Sequence, residues 1–101
     1  MESDFEPVAI IECGSVDRAS EAYVVFKWVG EELCRKIGQS VTVRLASVDR
    51  GWGCEFILPD FENATYSTTY SPIYVKQALT DFALRKDFVY SLAGKLRYAM
   101  R

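Results

Sequence analysis

Apolar and polar residues alternate in blocks along the chain, and the period of each block predicts an element. Val8-Ala9-Ile10-Ile11 is a short apolar run that reads as a buried strand closing at Gly14. From about residue 15 to 37, Val16, Ala19, Tyr23, Phe26, Gly30, Leu33 and Ile37 recur in three-four spacing, which lines one face of a helix. Ser15 is a candidate N-cap, and Gly38 stands where helices end in the left-handed conformation. Tyr23-Val24-Val25-Phe26 has strand propensity of its own, so a hairpin with the first strand competes with the helix over 22–29. The persistence of the helical period over more than five turns favours the helix.

The pattern then changes to period two. Val41, Val43 and Leu45 alternate with Thr42 and Arg44; after Asp49-Arg50-Gly51, Trp52, Cys54, Phe56 and Leu58 alternate with Gly53, Glu55 and Ile57. These segments predict a β-hairpin over about 41–58, ended by Pro59-Asp60. Residues 63–70, NATYSTTY, supply either a third hairpin strand or an ordered loop. Ser71-Pro72 reads as an N-cap with proline in the first helical turn. Beyond it Val75, Phe82, Val89 and Leu96 repeat every seven residues, a core stripe on a helix over about 72–100. Asp87 can cap a second segment, which leaves one kinked helix or a pair. The whole predicts a single α+β domain, with residues 1–6 a loose acidic start. A small antiparallel sheet of two to four strands packs both helical segments on one face. The helix–strand–strand–strand–helix order resembles double-stranded-RNA-binding domains and secretion chaperones in outline only. The second helix lacks the lysine cluster with which an RNA-binding domain would begin it.

Composition narrows the chemistry. The 101 residues include no histidine, which removes imidazole as base, acid or metal ligand. Cys13, Cys34 and Cys54 are odd in number, form no CxxC pair and read as reduced structural thiols. Carboxylates are scattered without metal-loop spacing; Glu31-Glu32 followed by Arg35-Lys36 reads as i,i+4 helix pairing. No cofactor and no metal are expected, and the chain is not expected to be an enzyme. The acidic start, MESDFEP, is unlike a signal peptide, and no apolar run approaches the ~20 residues of a membrane span. A cytoplasmic protein is therefore the expectation.

The charge distribution says more than the net of −2. Residues 1–70 carry six basic and twelve acidic side chains, whereas residues 71–101 carry six and two. On the cationic C-terminal helix, Tyr90, Arg97, Tyr98 and Arg101 fall off the core stripe, and tyrosine and arginine are enriched at protein–protein hot spots. Arg50 and Trp52 stand at the hairpin tip, where flanking glycines suggest that Trp52 is at least half exposed. Tyr66 and Tyr70 would share one side of a strand. These eight residues are the candidate partner-binding set. They suit a non-catalytic protein-interaction domain that binds and modulates another macromolecule: a small inhibitor, immunity-type protein, chaperone or regulatory adaptor, of a size compatible with phage or mobile-element origin. A nucleic-acid binder using the basic helix is the first alternative, against which the overall acidity counts. A small enzyme using carboxylates or a thiol is the second. A homodimer covering a sheet edge or helix face is also expected.

Overall fold

The computed structural model describes residues 6–100. Of the loose acidic start only Glu6 is among them, and Arg101 also lies outside the described residues. The elements are β1 (Ala9–Glu12), α1 (Glu21–Ile37), β2 (Val41–Val48), β3 (Gly51–Leu58), a 3₁₀ turn (Pro59–Phe61), β4 (Ala64–Tyr70), α2 (Pro72–Thr80) and α3 (Phe82–Ala99). The strands lie in the order β1-β2-β3-β4, and the fold is α+β.

The sheet is mixed rather than antiparallel throughout. β2, β3 and β4 form an antiparallel meander, but β1 pairs parallel to β2, with Ala9 opposite Val41 and Ile11 opposite Val43. The reason is the connection. A helix between two neighbouring strands carries the chain back to the end where the first began, so the second runs the same way. The segment 22–29 is that helix, and the hairpin alternative for it falls away.

α1 begins at Glu21, not near residue 15. The intervening segment closes on itself: Val16 N–H donates to the Cys13 carbonyl at 2.7 Å, and Asp17 accepts from Ala19 N through its carboxylate and from Ser20 N through its carbonyl. Ser20, not Ser15, is the N-cap, its hydroxyl accepting from Tyr23 N at 3.2 Å. With this start the buried face of α1 is Ala22, Val25, Phe26, Val29, Gly30, Leu33 and Cys34. Ala19 is exposed, and Val16 reaches the core from the loop. Gly38 ends the helix at φ 69°, as its position in the sequence suggests.

At the other end the break falls at Asp81. Its backbone N–H bonds to the Gln77 carbonyl at 2.9 Å and closes α2, while its carboxylate accepts from Leu84 N at 3.1 Å and opens α3. Asp87 sits exposed inside α3 and caps nothing. Phe82 is thereby turned out of the heptad stripe, 54% exposed, while Val75, Val89 and Leu96 are buried as expected.

All three helices lie on one face of the sheet, over Val41, Val43 and Leu45 of β2 and Cys54, Phe56 and Leu58 of β3. At the centre of the core the Phe26 ring lies 6.2 Å from Phe88, 5.2 Å from Tyr70 and 6.5 Å from Phe56. Trp52 belongs to this face too. Period-two alternation aligns it with Cys54 and Phe56, opposite Ser47 and Tyr70, and it is partly buried against the core rather than projecting. Gly51 and Gly53 fall on the other side of the strand, so their lack of side chains does not uncover it; shelter comes from across the strands. In a Trp28→Phe background we expect Trp52 emission that iodide quenches only weakly. Trp52→Ala should lower stability by about 2–3 kcal/mol in urea melts, short of the full cost of a wholly buried tryptophan.

Candidate functional site

α1 and α3 pack side by side, and their outer rims enclose a groove of about 490 Å³. Trp28, Glu32, Arg35 and Lys36 of α1 line one wall, at i, i+4, i+7 and i+8; Lys86, Asp87, Val89 and Tyr90 of α3 line the other. The cations here are held by rings. The Arg85 guanidinium stands 4.8 Å from the centre of the Trp28 ring and 5.4 Å from that of Phe82, which itself meets Trp28 edge-on at 5.5 Å. The ammonium of Lys86 lies 5.7 Å from the Phe82 ring, and that of Lys36 5.7 Å from Tyr90. Among the described residues no carboxylate forms an ion pair with Arg85, Lys86 or Lys36; Glu32 is engaged by Arg35 instead. Arg85 Nε is buried and makes no hydrogen bond. A ring face attracts a cation without neutralising it. The rim therefore presents positive charge beside two exposed aromatic surfaces, Phe82 and the 74% exposed Tyr90.

A second groove, of about 620 Å³, lies between β4 and α3, lined by Thr65, Tyr66, Ser91, Gly94, Lys95, Tyr98 and Ala99. The Lys95 ammonium stands 5.6 Å from the Tyr66 ring, and Tyr98 is 75% exposed. The sheet face turned away from the helices carries a cross-strand ladder in which Arg44 bonds Glu12 at 3.0 Å and Glu55 at 3.3 Å.

The structure divides the sequence-derived candidates between these places. Tyr66 and Tyr98 meet in the second groove, and Tyr90 lines the first. Arg97 donates to the Lys36 carbonyl at 3.0 Å and so ties α3 to the last turn of α1. Tyr70 packs among Phe26, Phe88 and Tyr74 as part of the core. Arg50 is exposed at the hairpin turn and Trp52 is partly buried against the core, and neither lines either groove. Trp28, Phe82, Arg85, Lys86, Lys36 and Lys95 are not among the candidate partner-binding residues of the sequence, where Phe82 reads as core and Lys36 as a helix-pairing residue. The signal for Phe82, Arg85 and Lys86 was the Asp81 cap, which sets the phase of α3. The expected Glu31–Arg35 and Glu32–Lys36 pairs are replaced by Lys27–Glu31 at 2.9 Å and Glu32–Arg35.

Among the described residues no group of three or more Cys, Asp or Glu side chains could hold a metal ion. Burial raises the Cys34 thiol above its ordinary range and pushes that of Cys54 up to about 12. Burial also raises the Tyr70 phenol, with smaller contributions from Cys54, Tyr66 and Tyr74. A group raised in the folded state holds its proton there longer than in the unfolded chain, so the stability it contributes is complete below the unfolded value and lost above it. Chemical denaturation should accordingly give constant stability from these groups up to about pH 9, the ordinary thiol value, and a decline towards pH 12. Cys54→Ala should make that decline shallower. No helix among the described residues is long and apolar enough to cross a membrane. In comparisons with known proteins, no family model, curated protein or solved structure matches this chain.

Proposed function

We propose that this domain is a non-catalytic protein-interaction module, which binds an acidic surface or segment of another protein through the groove between α1 and α3 and modulates that protein. One observation carries the reading: Arg85, Lys86 and Lys36 are paired with aromatic rings and not with carboxylates, beside the exposed rings of Phe82 and Tyr90. A partner's carboxylates would complete the charge pairs that the domain leaves open. The rings would supply the apolar anchors that dominate protein interfaces. The cationic C-terminal third agrees with such a partner, and the net charge of −2 counts against a phosphate backbone, for which concentrated positive potential is needed.

The test is affinity capture from the native host with nuclease present, using the wild-type chain and the double variant Lys86→Glu, Tyr90→Ala. Both positions are exposed, so the variant should fold normally. The expected result is a nuclease-resistant protein partner, retained by the wild type and lost by the variant. Titration with the purified partner should then show affinity reduced by about thirtyfold or more, equivalent to ~2 kcal/mol. Tight, salt-sensitive binding to DNA or RNA, abolished by the same changes, would replace this reading with a nucleic-acid-binding one.

A further inference from the structure

β4 is an edge strand without the devices that normally blunt an edge. It pairs along its full length with β3, from Trp52–Tyr70 to Leu58–Ala64, with no bulge. Its sequence, ATYSTTY, has no charge and no proline. The opposite edge, β1, is four residues long and carries Glu12 in an ion pair. In an antiparallel pair alternate residues direct their N–H and C=O groups away from the partner, so β4 presents a rim of main-chain donors and acceptors. Among the described residues no backbone group of another element bonds to that rim. α3 lies over the inner face and leaves the second groove open beside it. Such a rim is a template for another strand.

We propose that the strand it receives is β4 of a second copy, so that two chains form a continuous eight-stranded sheet about a two-fold axis at Ser67. The side chains are self-complementary in that register. On the outer face Thr65 meets Thr69 of the other copy and Ser67 meets Ser67, small hydroxyl pairs with no like charges opposed. On the inner face Tyr66 meets Thr68 and Ala64 meets Tyr70, so each large ring has a small residue opposite it. The helices agree with the same axis. Tyr66 lies under Lys95 and Tyr70 beside Phe88, so α3 runs antiparallel to β4, and Ser67 is level with the turn around Ala93. Asp87 lines the groove on the α1 side, whereas Ser91, Gly94 and Lys95 line the groove beside β4. The two-fold therefore sets the Gly94 turn of each α3 towards that of the other. At Gly94 no atom lies within 4 Å of where a Cβ would stand, which leaves room for the two helices to approach.

Sedimentation equilibrium at micromolar concentrations should show a species of twice 11.5 kDa. Thr65→Lys with Thr69→Lys sets lysine against lysine at both ends of the pairing and should give a folded monomer by circular dichroism. Ser67→Lys alone sets two lysines against each other on the axis and should weaken the dimer by about tenfold or more, and mixing Ser67→Lys chains with Ser67→Asp chains should restore it as a heterodimer. Ser67 is exposed, so this exchange decides the question even where the double lysine variant fails to fold. A wild-type chain that stays at 11.5 kDa throughout would overturn the proposal. So would a dimer untouched by the strand lysines, or a charge exchange that gives no rescue.

Discussion

Phe26→Ala should remove about 3–5 kcal/mol of stability, the range for truncating a large buried ring, out of the roughly 5–15 kcal/mol that a small domain has. Phe26 is fully buried and its ring contacts come from three other elements: Phe56 on β3, Tyr70 on β4 and Phe88 on α3. The void left by an alanine would be lined by rings fixed in separate elements, so the site cannot collapse without shifting a helix against the sheet. Urea denaturation followed by far-ultraviolet circular dichroism should show the midpoint falling steeply at an unchanged slope. Tyr90→Ala is the control: the ring is 74% exposed, and its loss should change stability by no more than about 0.5 kcal/mol. An equal loss in both variants would refute the core described here.

Gly51→Ala should cost about 3 kcal/mol, at the upper end of what one added methyl does by overpacking. Gly51 opens β3 with φ 157°, and a Cβ built there would run into the carbonyl oxygen of Tyr70. It would also stand 3.1 Å from the Tyr70 carbonyl carbon and 3.2 Å from Ser71 Cα. These are main-chain atoms that cannot turn aside as a flexible side chain would. They belong to the junction where β4 ends and Ser71 caps α2 by accepting from Tyr74 N at 3.2 Å. The added methyl must therefore displace either the start of β3 or that cap. Thermal melts of Gly51→Ala and Gly53→Ala make the comparison. At Gly53 the nearest atom is a Val48 methyl at 3.2 Å, which can yield, so the smaller loss is expected there. Equal melting temperatures would show that the close approach at Gly51 is not a constraint.

Period and capping made most of the fold legible. Alternation over residues 41–58 specified the hairpin because the side-chain period of a strand is two whatever surrounds it, and β2 and β3 span Val41–Leu58. Ser71-Pro72 specified the start of α2 through bonding within one turn of chain. Gly38 likewise specified the end of α1. Helix starts were harder wherever two capping residues competed. Ser15 and Ser20, or Asp81 and Asp87, are locally alike, and the choice depended on which start puts a complete apolar face against the sheet. That choice rotated α3, moved Phe82 from the expected core stripe to the surface and left Arg85 beside Trp28, a residue 57 positions earlier. The candidate site was correspondingly less legible. Tyr66, Tyr90 and Tyr98 were visible as aromatics, but the cations beside Tyr66 and Tyr90, Lys95 and Lys36, come from elements distant in the chain.

The sequence by itself determined what local bonding and side-chain period decide: the α+β class, the first strand and the hairpin over 41–58, the end of α1 at Gly38 and of β3 at Leu58-Pro59, and a cationic final third on an otherwise acidic chain. The tertiary structure decided what depends on elements distant in the chain. It set the parallel pairing of β1, because direction follows from how the α1 crossover returns the chain. It turned Trp52 and Tyr70 inward, because neighbouring strands and α3, not adjacent glycines, determine what shelters a ring. It also paired Arg85, Lys86 and Lys36 with rings instead of carboxylates, because a cation–ring contact reaches only a few ångströms and forms only after α1 and α3 have packed.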